Sequence, residues 1–154
     1  MVWFTHGFTY SGHPVCCAAA LKNIELIAGE NLLGNARTVG DYFETRLKEL
    51  ATLPLVGDVR GRRFMMCVEY VADKGSQAHV PEAANMPRRI AQLCETKGLL
   101  VRPLGHLDII SPPLILTRAQ CDVLVDTLRE SITEVTQQLC REGFIPSAAF
   151  AERP

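Results

Sequence analysis

The stretch Val56-Gly57-Asp58-Val59-Arg60-Gly61-Arg62-Arg63-Phe64-Met65-Met66-Cys67-Val68-Glu69-Tyr70-Val71 decides the fold class. Val56–Val59 and Phe64–Val71 carry the β-branched and aromatic residues of strands, and an arginine-rich turn separates them. Pro54 and Gly57 end what comes before. Upstream, the spacing predicts a helix from Glu30 or Asn31 to about Leu50. Leu32, Leu33, Ala36, Val39, Tyr42, Phe43, Leu47 and Leu50 recur there at three and four residues. An earlier helix opens at His13-Pro14, where a proline costs little, and continues through Val15 to Ile27. Its run Cys16-Cys17-Ala18-Ala19-Ala20 is small enough to lie close against another element. Met1 to Gly12 reads as a loop.

Downstream of the strand pair, Ala72 to Met86 is a polar connection. A helix over Pro87–Lys97 follows and stops at Gly98. Leu99–Arg102 and Leu107–Ser111 read as short strands with Gly105 in their turn, and Pro112-Pro113 ends the second. Thr117 caps a last helix to about Arg141, with Cys121, Leu124, Val125, Leu128, Ile132, Val135 and Leu139 on one face. Gly143 stops it, and Phe144–Pro154 is expected to fray. Helices and antiparallel strands are segregated, so the fold class is α+β: a small antiparallel sheet with packed helices.

The chain has 154 residues, 47% hydrophobic and 21% charged, with a formal net charge of -1. That suits one ordinary globular domain. No basic stripe supports nucleic-acid or anionic-membrane binding, no apolar run is long enough for a membrane span, and Met1–Tyr10 is not a signal peptide. The six cysteines form no CxxC pair, and most lie in apolar periodic segments, which fits a reduced, cytoplasmic protein. Cys16-Cys17 is a poor metal or redox pair, because zinc wants spaced ligands from several elements. No metal-ligand set is read from the sequence.

Three places could carry chemistry. His6-Gly7-Phe8-Thr9-Tyr10-Ser11-Gly12-His13-Pro14 sets backbone N–H groups and hydroxyls before a helix, a place that can hold a phosphate. An ordinary capping turn has the same ingredients. Arg102, beside Pro103 at the end of an apolar strand, could grip a carboxylate bidentately or simply face solvent. Arg60-Gly61-Arg62-Arg63 could touch phosphate, but in a neutral chain it reads as a solvated turn. His6 and His13 lack a nucleophile with an orienting acid, so no catalytic residue is assigned.

Trp3 through Val15, followed by Ala18-Ala19-Ala20-Leu21, closely resembles a segment of the class III aminotransferases. Val59-Arg60-Gly61, then Gly98 to Arg102, then Ser111 to Thr117 follow in that family's order. The resemblance covers essentially the whole chain and is nearest to the ω-amino-acid and amine:pyruvate subgroup. It implies the C-terminal domain of a fold-type-I enzyme using pyridoxal phosphate, active as a dimer or higher oligomer with sites at the subunit interface. It implies that Thr9 and the Phe8 N–H reach the cofactor phosphate of a partner subunit. Arg102 would bind a substrate carboxylate and swing aside for uncharged amines. The reaction implied is amino transfer through a quinonoid intermediate, from an amine or ω-amino acid to a keto acid such as pyruvate.

The family's Schiff-base lysine and its pyridine-binding aspartate lie upstream of the His6-Gly7 block, in a large domain. Lys22, Lys48, Lys74 and Lys97 are not at the lysine's position. The chain alone is therefore expected to be inactive and to hold no cofactor covalently. The resemblance divides it into an interface loop and helix at 1–28, a small domain at 29–143 and a tail at 144–154. The alternative from another class is a non-catalytic dimerisation or interaction module derived from such an enzyme. One departure stands out: Arg63 occupies a position that is usually glycine in the family.

Overall fold

The computed structural model describes residues 6–145, which fall into two compact units divided between Gly34 and Asn35. Trp3, Phe4 and Thr5 of the quoted block, and the tail beyond Ile145, lie outside the described residues.

The first unit carries helix α1, Pro14–Gly29. Pro14 sits in its first turn, as expected from its fixed φ and missing donor. None of its residues is buried.

Helix α2, Leu32–Lys48, is continued by a 3₁₀ turn, Glu49–Thr52. Its inner face buries Phe43 and Leu47, and Leu50 follows from the turn. Strands β1 (Val56–Arg62) and β2 (Met65–Tyr70) form the antiparallel hairpin, while β3 (Arg102–Leu104) and β4 (Leu107–Ile110) complete a four-stranded sheet in the order β1-β2-β4-β3. Helix α3 spans Met86–Thr96 and α4 spans Arg118–Arg141. Alternation on β2 sends Met66, Val68 and Tyr70 into the core. On β1 the register slips between Val56 and Asp58, so Val56 and Val59 are both buried despite their odd spacing. Ile90 and Cys94 of α3 close the core with Leu128, Ile132, Val135 and Leu139 of α4. Thr117 caps α4 in a full capping box: its hydroxyl accepts from the Gln120 N–H, and the Gln120 side chain accepts from the Thr117 N–H.

Two strand boundaries differ from the sequence reading. β1 runs through Arg60-Gly61-Arg62, and the tight turn is Arg63-Phe64 alone. Gly61 makes that extension possible, because its φ is +127° and a Cβ there would lie 2.1 Å from the Met65 carbonyl oxygen. In addition, Leu99–Val101 are not strand. The Leu99 N–H donates to the Cys94 carbonyl at 2.9 Å, so the backbone is engaged in closing α3. Arg102 therefore begins β3 instead of ending a strand, and Pro103 is tolerated because β3 is an edge.

Candidate functional site

In the first unit the segment before α1 is two successive turns. The Ser11 N–H donates to the Phe8 carbonyl at 2.8 Å, and the His13 N–H donates to the Tyr10 carbonyl at 3.1 Å. The Tyr10 and His13 rings lie 5.5 Å apart. Phe8, Thr9 and Tyr10 are exposed. The Phe8 N–H and the Thr9 hydroxyl make no hydrogen bond among the described residues. Both donors lie in the turns that lead into α1, five and four residues before its N-cap His13. His13 is the N-cap residue but its side chain makes no capping bond.

In the second unit Arg102 opens β3 opposite Ile109. It is exposed, and its guanidinium has no ion-pair or hydrogen-bond partner among the described residues. It borders a cleft of about 470 Å³ whose walls come from Leu99 and Val101, from Ile109 and Ile110, and from Pro112, Pro113 and Leu124. Among the described residues Arg102 is the only ionisable one lining it, and Ser111 supplies a hydroxyl. A guanidinium on an apolar rim suits a ligand with one carboxylate and an apolar body. The Arg102 position was named from the sequence; the cleft was not, because its walls come together only through the pairing of β3 with β4 and the packing of α4.

The arginine cluster has its charges answered. Arg60 pairs with Asp58 and Glu69, Arg62 with Glu44 and Asp41, and Arg63 with Asp41. Arg63 itself adopts φ +54°, the left-handed region that favours glycine. Its N–H donates to Glu44 Oε2 at 3.0 Å, and its side chain lies over Gly40, where an added Cβ would meet Arg63 Cβ at 2.7 Å. Lys48, the Arg63 N–H and Arg62 together hold the Glu44 carboxyl down to about 2.

Cys94 and Cys121 are buried and Cys67 and Cys140 half-buried; burial raises all four thiols, Cys121 to about 11, which disfavours the thiolate. Cys16 and Cys17 are exposed on α1. No helix among the described residues is long and apolar enough to cross a membrane.

Residues 2–132 match the family model for aminotransferase class-III. This chain belongs to the class-III aminotransferases. It is 38% identical over 143 residues to an uncharacterized aminotransferase of Sinorhizobium fredii, covering 91% of this chain and 31% of that protein. It is also 38% identical over 129 residues to the adenosylmethionine-8-amino-7-oxononanoate aminotransferase of Methanocaldococcus jannaschii, covering 84% of this chain and 28% of that protein. Among solved structures it resembles the PMP-bound aminotransferase of Vibrio fluvialis, with TM-score 0.82 and 43% identity over 88% of this chain and 30% of that one. An (S)-enantioselective omega-transaminase of Thermomicrobium roseum superposes with TM-score 0.80 at 39% identity, covering 87% of this chain and 30% of that one.

The small antiparallel sheet with packed helices is thus that of the fold-type-I class-III aminotransferases, and pyridoxal phosphate is the cofactor of the parent enzymes. This class-III chain spans under a third of the length of the relatives just named. Two groups have donors that could serve the phosphate end of that cofactor: the uncommitted Phe8 N–H and the uncommitted Thr9 hydroxyl, both in the turns that lead into α1.

Proposed function

We propose that this chain supplies the interface loop and substrate-clamping small domain of an enzyme that moves an amino group from an amine or ω-amino acid to a keto acid such as pyruvate. The observation that carries the reading is Arg102: among the described residues its guanidinium is unpaired and is the one ionisable group on an apolar cleft. Such a group binds the carboxylate of a keto or amino acid through two parallel hydrogen bonds. The extended, edge-strand backbone at Arg102-Pro103 is held by pairing with β4, while the long side chain stays free to swing aside for an uncharged amine.

The Phe8 N–H and Thr9 Oγ1 would donate to the cofactor phosphate, held across a subunit interface in a dimer. When bound, pyridoxal phosphate supplies the electron sink that stabilises negative charge on the substrate carbon. The lysine and aspartate that serve the ring lie outside this chain, in a large domain. α1 exposes Val15, Leu21 and Ile24, which would pack on that domain. The exposed aliphatic residues of α1 also support the rival reading of an interaction module, which has no use for a free guanidinium on a cleft.

The test is Arg102→Ala in the enzyme that includes this chain, with the two half-reactions followed separately by single-turnover cofactor absorbance. KM for the keto acid should rise by at least about tenfold, the loss of a charge-assisted pair worth about 1.5–3 kcal/mol. The half-reaction with a simple monoamine should change far less, and Arg102→Lys should rescue only in part. Equal slowing of both half-reactions would make Arg102 a structural residue.

A further inference from the structure

Three metal-competent side chains meet at one end of the sheet, although residues 69, 79 and 106 form no short-spaced motif. Glu69 lies on β2 and pairs in register with Leu107. The Tyr70 N–H donates to the His106 carbonyl at 3.0 Å, which fixes the β3–β4 turn beside β2. His79 arrives from the connection between β2 and α3. That loop is pinned by the bridge between Asp73 and Ala78, with the Ala72 N–H donating to the Ala78 carbonyl at 2.6 Å. Backbone pairing therefore brings all three residues together, and surface side-chain chance alone does not account for it.

The His79 and His106 rings stack with centroids 3.8 Å apart and planes 28° apart. His106 Nε2 lies 3.4 Å from Glu69 Oε1. One ligand atom from each residue falls within 4.8 Å of the others. Four-coordinate zinc has bonds of about 2.0–2.2 Å to nitrogen and oxygen, so ligand atoms around it stand roughly 3.3–3.6 Å apart. His79 is exposed, which leaves its ring room to move toward the other two ligands. The other Glu69 oxygen is held by Arg60, which fixes the carboxylate, and Arg60 is shared with Asp58 at 3.0 Å, which offsets its charge.

We propose that Glu69, His79 and His106 form a binding site for one divalent ion of the imidazole-and-carboxylate class, Zn²⁺ above all. Water completes the coordination, because His79 and His106 reach solvent. The ion staples the β2–α3 connection to the β3–β4 turn, four residues from Arg102. It is a structural clasp and is independent of how Arg102 is used.

The experiment is a titration of the full chain, free of any histidine tag, with Zn²⁺ near neutral pH, read by calorimetry and by thermal melting. One equivalent should bind and raise the melting temperature. His79→Ala and His106→Ala should each abolish that shift, and Glu69→Gln should weaken binding by about tenfold or more. The pair Cys16→Ser and Cys17→Ser should leave it unchanged. His79 is exposed and outside any helix or strand, so its variant keeps the fold even if His106→Ala disturbs the turn. No binding up to millimolar Zn²⁺, full binding by His79→Ala, or binding that follows the cysteines would overturn the site.

Discussion

Helices α1 and α4 are both rich in aliphatic residues, yet they are treated oppositely. α1 buries none of its 16 residues, whereas α4 buries nine of 24 and is closed by a capping box. The apolar residues of α4 recur at three and four residues and face one core. Those of α1 are spread around the helix, with small residues between them. The contrast teaches that hydrophobicity alone does not place a helix in a chain's own core; the period decides. It also separates the two helices by burial: α4 packs into the core of the second unit, and α1 leaves its aliphatic residues exposed.

The largest expected effect tests that contrast directly. Leu128→Ala or Ile132→Ala, both fully buried, should cost about 2–5 kcal/mol in urea unfolding. Leu21→Ala or Ile24→Ala on α1 should stay within about 0.5 kcal/mol. Similar losses on both helices would break the comparison.

A second prediction sharpens what the α4 side of the comparison holds inside. Asp108 is buried, accepts from the Tyr70 hydroxyl at 2.6 Å, and leaves Oδ1 without a partner among the described residues. Burial pushes its carboxyl up to about 6, against the opposing pull of the Tyr70 bond. A carboxyl whose folded value is raised holds its proton better in the folded state. Its contribution is therefore fully present below about 4 and is lost as pH rises through about 6. The loss is at most about 3 kcal/mol. Asp108→Asn should remove that slope, read as the difference between variant and wild-type stability across this window. Glu44 acts in the opposite sense and lower window: its stabilisation disappears as pH falls from about 4.5 through about 2. An unchanged profile in Asp108→Asn would show that the acid is not desolvated.

The smallest effect concerns the hairpin. Arg63 in the left-handed region costs about 1–2 kcal/mol, partly offset in a glycine variant by added unfolded-state freedom of about 0.5–1 kcal/mol. Its exposed pair with Asp41 contributes little. Arg63→Gly should therefore raise stability by about 0.5–1 kcal/mol in thermal or urea unfolding. A loss would mean that the Arg63 side chain over Gly40 matters more than the backbone.

Most of the fold was legible because its signals are local. Every apolar residue named for the α4 face is buried, and Pro14, Gly98 and Thr117 mark helix ends as their chemistry requires. The errors came where tertiary pairing overrides local pattern. Arg60-Gly61-Arg62 looked like a turn, yet the strand continues because Gly61 admits a backbone no side chain could follow. Leu99 looked like a strand residue, yet its N–H closes α3. The sequence names Phe8, Thr9 and Arg102 as candidates, and the departure at Arg63 coincides with an unusual φ. The cleft beside Arg102 and the Glu69–His79–His106 cluster could not be named, because both depend on sheet register.

The division of labour between the two regions is tested most directly by cofactor dissociation, measured side by side for Thr9→Ala and Arg102→Ala in the enzyme that includes this chain. With Thr9 donating to the phosphate as proposed, Thr9→Ala should weaken retention of pyridoxal phosphate roughly tenfold to a hundredfold, the loss of one charge-assisted hydrogen bond. Arg102→Ala should leave retention as in the wild type, its effect falling on the keto acid. Unchanged retention in Thr9→Ala, or equal loss in both variants, would contradict the account.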